Sequence, residues 1–135
     1  MLFEVKDWSQ CKIGIIGLGY VGLPALMAFA EKYNVVGFDV DSNHVSGLNA
    51  GCDRTGSFCP NEIWAAKSRS TSFVISDVPS SLTNVDFFIV TVPTPVTKLN
   101  EPDLAPLAAA CEEIGNFLRK GAVVVFESTV YPGCT

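Results

Sequence analysis

The chain has 135 residues, 48% of them hydrophobic, and a formal net charge of −5. That is long and apolar enough for one packed core, and an acidic balance with no basic cluster argues against a nucleic-acid surface. The opening MLFEVKDWSQCK carries charges throughout and lacks the apolar core of a leader, and no stretch reaches the ~18 uninterrupted apolar residues of a membrane helix, so a cytoplasmic location without a membrane partner is expected.

In chain order, residues 11–16 read as a first strand and 20–33 as a helix that tolerates Pro24 in its first turn. Asn34 precedes a second strand at 35–39, and Asp41 is placed to cap a helix over 42–49. The stretch 51–60 reads as a loop and 61–67 as a short helix, with a third strand at 72–75 and a fourth at 86–92. After the proline-rich turn VPTPVTKLNEPD comes the clearest helix. Asp103 is placed as its N-cap, and Leu104, Leu107, Ala108, Cys111, Gly115 and Leu118 share one face. Gly121 is a stop signal, and 122–127 reads as a fifth strand. Strands alternating with helical crossovers, with no repeat or linker, make the expected fold class α/β. The architecture expected is one doubly wound parallel sheet of the Rossmann kind over 1–135, with ligands at the carboxyl ends of its strands.

Five cysteines, at 11, 52, 59, 111 and 134, form no CxxC pair, and His44 is the sole histidine. Cys52 and Cys59 do not have a zinc-knuckle spacing, so reduced thiols and no metal are expected. Cys134 has no histidine or lysine beside it in sequence to activate it as a nucleophile.

The stretch GIIGLGYVGLP carries the chemistry. Gly17, Gly19 and Gly22 follow a strand and open a helix, which lifts a common glycine spacing to a dinucleotide fingerprint. Gly17 permits the tight turn, Gly19 lets the backbone approach a pyrophosphate, and Gly22 lets the helix pack on the sheet. The helix N-terminus adds unpaired N–H groups and a partial positive charge. Asp39, in VVGFDVD, stands at the end of the second strand, where an acidic residue accepts ribose hydroxyls and repels a 2′-phosphate, so NAD is expected over NADP.

Two other Rossmann-like readings fare worse. A short-chain dehydrogenase needs a Tyr followed four residues later by Lys, and Tyr20, Tyr33 and Tyr131 are followed by Pro24, Gly37 and Thr135. A methyltransferase using S-adenosylmethionine usually lacks the third glycine's packing role.

Two more segments fall at carboxyl ends of strands. TVPTP, from Thr91 to Pro95, is a stiff turn with few donors, in which Thr94 offers a hydroxyl; on physics alone it is also readable as a plain proline turn. ESTVYPGCT closes the fifth strand with Glu127, Ser128 and Thr129, polar groups costly to bury unless bonded or used, although a simple strand cap remains open.

GIIGLGYVGLP, VVGFDVD, TVPTP with the following NEPDLAPL, and VFESTVYPGCT, in this order, closely resemble the nucleotide-sugar dehydrogenases of the UDP-glucose/GDP-mannose dehydrogenase family, from Lys12 onward. The form GLGYVGLP is far more specific than the bare glycine spacing. ESTVYPGCT looks most like the branch that oxidises UDP-N-acetylhexosamines for capsule, Vi-type or O-antigen polysaccharides.

The resemblance implies an NAD-dependent, twofold oxidation of a sugar C6 alcohol to a carboxylate, through a thiohemiacetal and a thioester. It implies that Gly17, Gly19, Tyr20, Val21 and Gly22 meet the pyrophosphate and Asp39 the adenosine ribose. Thr94 and Thr129 would line the site toward the nicotinamide, flanked by Glu127 and Ser128, with Val92 and Pro93 also among the cofactor-binding residues, and Thr129 would position a water as the one catalytic assignment in this chain. Where this chain has His44, family members often carry Arg or Lys, a departure that puts a cationic contact to the adenosine side in doubt.

The resemblance further implies that this is the N-terminal, NAD-binding part of a longer homo-oligomeric enzyme. The sugar-binding and dimerisation domains, nucleophile included, would be absent and the part inactive alone. An exposed apolar edge at 122–126 and a first helix apolar nearly all round are then expected, with self-association or modest stability as the consequence. A different two-domain dehydrogenase of the β-hydroxyacid type, or a nucleotide-sensing regulatory module, are the alternatives that the sequence leaves open.

Overall fold

The computed structural model describes residues 7–69 and 72–134. Residues 1–6, on which the leader reading partly rests, and Thr135, the last letter of ESTVYPGCT, lie outside them. Five parallel strands form one sheet: β1 (Lys12–Ile16), β2 (Asn34–Phe38), β3 (Phe73–Ser76), β4 (Phe87–Val90) and β5 (Val123–Phe126). Their order is β3-β2-β1-β4-β5. The connections carry four helices, α1 (Gly22–Phe29), α2 (Ser42–Asn49), α3 (Pro60–Arg69) and α4 (Ala105–Gly115). The chain steps from β1 outward to β3, then returns to set β4 on the other side of β1. The order therefore reverses between β1 and β4, which is the switch point of a doubly wound sheet.

Side-chain alternation decides the layers. Ile13 and Ile15 of β1 and Val35 of β2 join Leu23, Leu26, Val45, Leu48 and Ile63 on the α1–α2–α3 side. Ile16, Val36 and Phe38 point the other way, toward Leu82, Phe88, Leu107, Ala110 and Ile114. The central strands are covered on both faces, which is why they read as continuous apolar runs. Each leucine or isoleucine fully removed from water in these layers contributes about 1.5–3 kcal/mol. Gly37 lets α1 approach closely, since a Cβ there would lie 2.6 Å from Leu26 Cδ2 and 2.9 Å from Leu18 Cδ2. This close approach sets the segment before α1 against the ends of β1 and β2.

The elements differ from the sequence reading mainly at their ends. α1 is shorter than 20–33. Tyr20 and Val21 belong to the preceding turn, and beyond Phe29 the chain unwinds as Lys32 N and Tyr33 N both donate to Phe29 O, at 3.1 and 3.0 Å. The unwinding brings Asn34 opposite Lys12 to start β2 in register. α3 starts earlier than expected, with Pro60 in its first position and Cys59 N donating to Glu62 Oε2 at 2.8 Å. A short 3₁₀ turn at Pro79–Leu82, absent from the sequence reading, buries Leu82 under the sheet.

The expected face of α4 is corrected. Leu107, Ala110 and Ile114 are buried, with Leu104 and Phe117 packed beside them, whereas Ala108, Cys111, Gly115 and Leu118 are exposed. The two stripes share Leu104 and Leu107, and the bulk of Ile114 and Phe117 outweighs the small residues on the competing one. Leu104 stands in the cap position, yet Asp103 Oδ1 still accepts from Ala105 N at 3.0 Å. Gly121 has the positive φ, 88°, of a helix-stop residue. β5 pairs with β4 alone among the described residues and leaves Val123, Val125 and Phe126 exposed, as the apolar-edge expectation has it. The outer side of α1 faces α3 across a groove of about 590 Å³ lined by Pro24, Met27, Ala28, Phe58 and Ala65. Among the described residues no helix is long and apolar enough to cross a membrane.

Candidate functional site

The glycine segment lies at the carboxyl end of β1, beside the switch point, and its first turn is locked from three sides. Gly17 has φ +95°, a conformation costly for any residue with a Cβ, and its N–H donates to Phe38 O at 2.8 Å. The Thr91 hydroxyl, from the end of β4, lies 2.7 Å from Gly17 O and 3.1 Å from Ile16 O, so it donates to the carbonyls that end β1. Gly22 closes the third side, since a Cβ there would fall 1.7 Å from Gly17 O and 2.5 Å from Thr91 Oγ1. The helix thus packs directly on the turn that precedes it.

Leu18 is held by its main chain and its side chain together. Its N–H donates to Asp39 Oδ2 at 2.8 Å, its carbonyl lies 2.7 Å from His44 Nε2, and its side chain is fully buried between α1 and β2. A carbonyl can only accept, so His44 carries its proton on Nε2 here. Asp39 Oδ1 accepts from Asp41 N at 2.9 Å, and Asp41 caps α2 through Asn43 N and His44 N, both at 3.1 Å. Arg54 Nη1 reaches back to Asp41 Oδ2 at 2.5 Å. That guanidinium bond, and after it the His44 amide, holds the Asp41 carboxyl below its ordinary value.

Beyond Leu18 the loop opens. The N–H groups of Gly19, Tyr20, Val21 and Gly22 have no acceptor among the described residues. A Cβ on Gly19 would meet nothing within 4 Å, and the side chains of Tyr20 and Val21 stand exposed beside it. Four consecutive unpaired donors stand at the start of an α-helix beside an uncovered glycine, which suits an oxyanion. A bare backbone at Gly19 and acceptor lone pairs on half-buried Asp39 match the pyrophosphate and ribose of a dinucleotide, so the residues present fit such a cofactor.

The other two segments continue the same edge. Val92 N and Cα lie against Gly17, Pro93 is exposed, and the Thr94 hydroxyl donates to Thr129 O at 2.6 Å. The Ser128 hydroxyl donates to Val92 O at 2.7 Å, so the ends of β4 and β5 are cross-tied. With their protons committed, Thr94 and Ser128 can offer only lone pairs to a ligand. Glu127 and Thr129 are exposed; the burial cost that singled out this strand end in the sequence therefore does not arise for them. Among the described residues no three His, Cys, Asp or Glu side chains converge to hold a metal ion, and Cys52, Cys59, Cys111 and Cys134 are free thiols.

The residues singled out in the sequence thus line one edge of the sheet, from Asp39 at β2 through Gly17–Gly22 and Val92–Thr94 to Glu127–Thr129 at β5. His44, where family members often carry Arg or Lys, is buried under the loop with its Nε2 on Leu18 O. Sequence reasoning gave no role to Thr91, Leu18 or Arg54. A hydroxyl closing the apolar strand FFIV was a usable signal for Thr91. Arg54 offered none, since its partner is 13 residues away and across a loop.

The family model for the NAD binding domain of the UDP-glucose/GDP-mannose dehydrogenase family matches residues 11–135. The chain is 44% identical, over 127 residues, to a UDP-N-acetyl-D-glucosamine 6-dehydrogenase of Pseudomonas aeruginosa, covering 94% of this chain and 29% of that protein. It is 42% identical to the protein CapL of Staphylococcus aureus over 91% of this chain and 28% of that one. Among solved structures, the UDP-D-ManNAc dehydrogenase from Pyrococcus horikoshii superposes with a TM-score of 0.82 at 31% identity, over 90% of this chain and 29% of that one. The chain therefore spans less than a third of the length of these relatives.

Proposed function

The chain belongs to the UDP-glucose/GDP-mannose dehydrogenase family, as its NAD-binding domain, and from that premise we propose that it is the cofactor-holding part of a nucleotide-sugar 6-dehydrogenase acting on a UDP-N-acetylhexosamine or UDP-glucose. The 44% identity to a UDP-N-acetyl-D-glucosamine 6-dehydrogenase supports the first of these sugars. In this reading the N–H groups of Gly19, Tyr20, Val21 and Gly22 bind the pyrophosphate, and Gly17 sets the turn that presents them. Asp39 accepts the adenosine ribose hydroxyls and disfavours a 2′-phosphate. Val92, Pro93 and Thr94 wall the middle of the site, while Glu127, Ser128 and Thr129 line its nicotinamide end.

Bound NAD supplies the two-electron acceptor for oxidising the sugar C6 alcohol, and a second equivalent serves the aldehyde-to-carboxylate step. The second step consumes a water, and Thr129, exposed and fixed through its carbonyl by Thr94, is the residue we assign to orienting it. In this reading the chain contributes the binding and orientation of the cofactor.

The observation carrying this reading is the set of four unpaired N–H groups over an uncovered Gly19 with Asp39 beside it. Calorimetric titration tests it. NAD is expected to bind, NADP at least about tenfold more weakly, and Asp39→Ala to lose that preference. Equal binding of the two dinucleotides, or an Asp39→Ala protein with unchanged preference, would contradict it.

A further inference from the structure

Arg54 stands in the loop between α2 and α3, remote in sequence from the glycine segment, yet its guanidinium bonds the Asp41 carboxylate that caps α2. Asp41 is itself tied to Asp39, through Asp41 N to Asp39 Oδ1 at 2.9 Å. Arg54 therefore lies one carboxylate away from the acceptor assigned to the ribose.

Three observations give this placement a meaning. The mouth of the site carries two carboxylates within three residues, and a dinucleotide brings two negative phosphates toward it, so a cation there lowers the repulsion. His44 does not reach that mouth, because it is 3% exposed and its Nε2 is bonded to Leu18 O. Arg54, by contrast, is 60% exposed in its side chain, with one nitrogen fixed on Asp41. Val40, 83% exposed between the two aspartates, adds an uncovered apolar surface at the same mouth.

The loop that carries Arg54 is also ordered. The neighbouring Asp53 carboxylate accepts from Thr55 N, Thr55 Oγ1, Ser57 N and Phe58 N at 2.8–3.0 Å, and Phe58 packs against the core. An anchored guanidinium keeps a planar face that stacks on an aromatic base and further donors for a ribose or phosphate oxygen.

We propose that Arg54 forms the outer wall of the adenosine subsite, held in place by Asp41, with its guanidinium facing the adenine and its ribose. Residues 39, 41 and 54 then act as one unit: Asp39 accepts, Asp41 holds, and Arg54 covers and neutralises. The assignment rests on the NAD reading above.

Calorimetry of wild type, Arg54→Ala, Arg54→Gln and Arg54→Lys with NAD and with ADP-ribose tests it, alongside the thermal midpoint of each. Arg54→Ala and Arg54→Gln are expected to weaken both ligands about two- to fivefold, with part regained in Arg54→Lys, because the stacked cation of an exposed site has that magnitude. The thermal midpoints should stay close to wild type, since an exposed ion pair adds little to stability. Unchanged affinity for ADP-ribose in Arg54→Ala and Arg54→Gln, with wild type binding and Asp39→Ala impaired, overturns the role of Arg54 and leaves the NAD reading standing. Weakening confined to NAD also overturns it, because it puts the residue outside the adenosine half. A wild-type chain that binds neither ligand overturns both.

Discussion

Two regions share the carboxyl edge of the sheet and are built in opposite ways. Around β1 and β2, the glycine turn is fastened by interior contacts: Thr91 on Gly17 O, Asp39 and His44 on Leu18, and the Leu18 side chain in the core. Around β4 and β5, the matching segments are largely exposed and are tied to each other by two hydroxyl–carbonyl bonds, Thr94 to Thr129 and Ser128 to Val92. The first region is shaped by folding itself. The second is arranged by surface bonds of about 0.5–1.5 kcal/mol each, so changes there should show in ligand affinity more than in stability.

The sharpest way to break this contrast uses two glycines of the same loop. Gly22→Ala places a methyl inside the contact radius of Gly17 O and Thr91 Oγ1, and backbone has little room to give. It is expected to cost about 3 kcal/mol or more in urea unfolding. Gly19→Ala meets open space and should change stability by less than about 1 kcal/mol, while NAD affinity falls because the methyl stands where the pyrophosphate would lie. Thr91→Val comes next. It keeps the shape but strips Gly17 O of its donor, for a loss of about 1–3 kcal/mol by denaturant titration.

Ser128→Ala and Thr94→Val probe the second region. Each should lower stability by no more than about 1.5 kcal/mol, and a calorimetric loss of NAD affinity should exceed any change in unfolding midpoint. If either proved as destabilising as Gly22→Ala, the contrast between the regions would collapse.

The smallest effect concerns pH. Asp41 is depressed in the fold, by the Arg54 hydrogen bond first and the His44 amide second, so its contribution is full above the ordinary aspartate range and is lost as pH falls through its lowered value. Acid titration followed by circular dichroism should show a smaller loss from this carboxyl, complete at higher pH, in Arg54→Ala than in wild type.

Much of this was legible in the sequence because it is local. A turn that needs Gly17, a strand running into Asp39 and a cap at Asp41 are each written in a few adjacent residues; the structure has the turn and the cap in place and ends β2 one residue early, at Phe38. The helix ends were harder. Ala30 to Tyr33 include good helix formers, and only the register of Asn34 against Lys12 stops α1. The face of α4 turned on side-chain volume facing the sheet, which periodicity does not weigh. His44, Thr91 and Arg54 act through partners 26, 74 and 13 residues away, pairings that exist only once the sheet has brought the strand ends together.

The central claim is that the open N–H groups of the glycine turn are a preformed pyrophosphate cradle. Backbone amide resonances of the ¹⁵N-labelled chain, followed through an NAD titration, test it most directly. The account predicts that Gly19, Tyr20, Val21 and Gly22 shift most, together and to saturation, with Leu18 moving less because Asp39 already holds its N–H. Saturable NAD binding that leaves those four amides unmoved, or no binding at all, would contradict it.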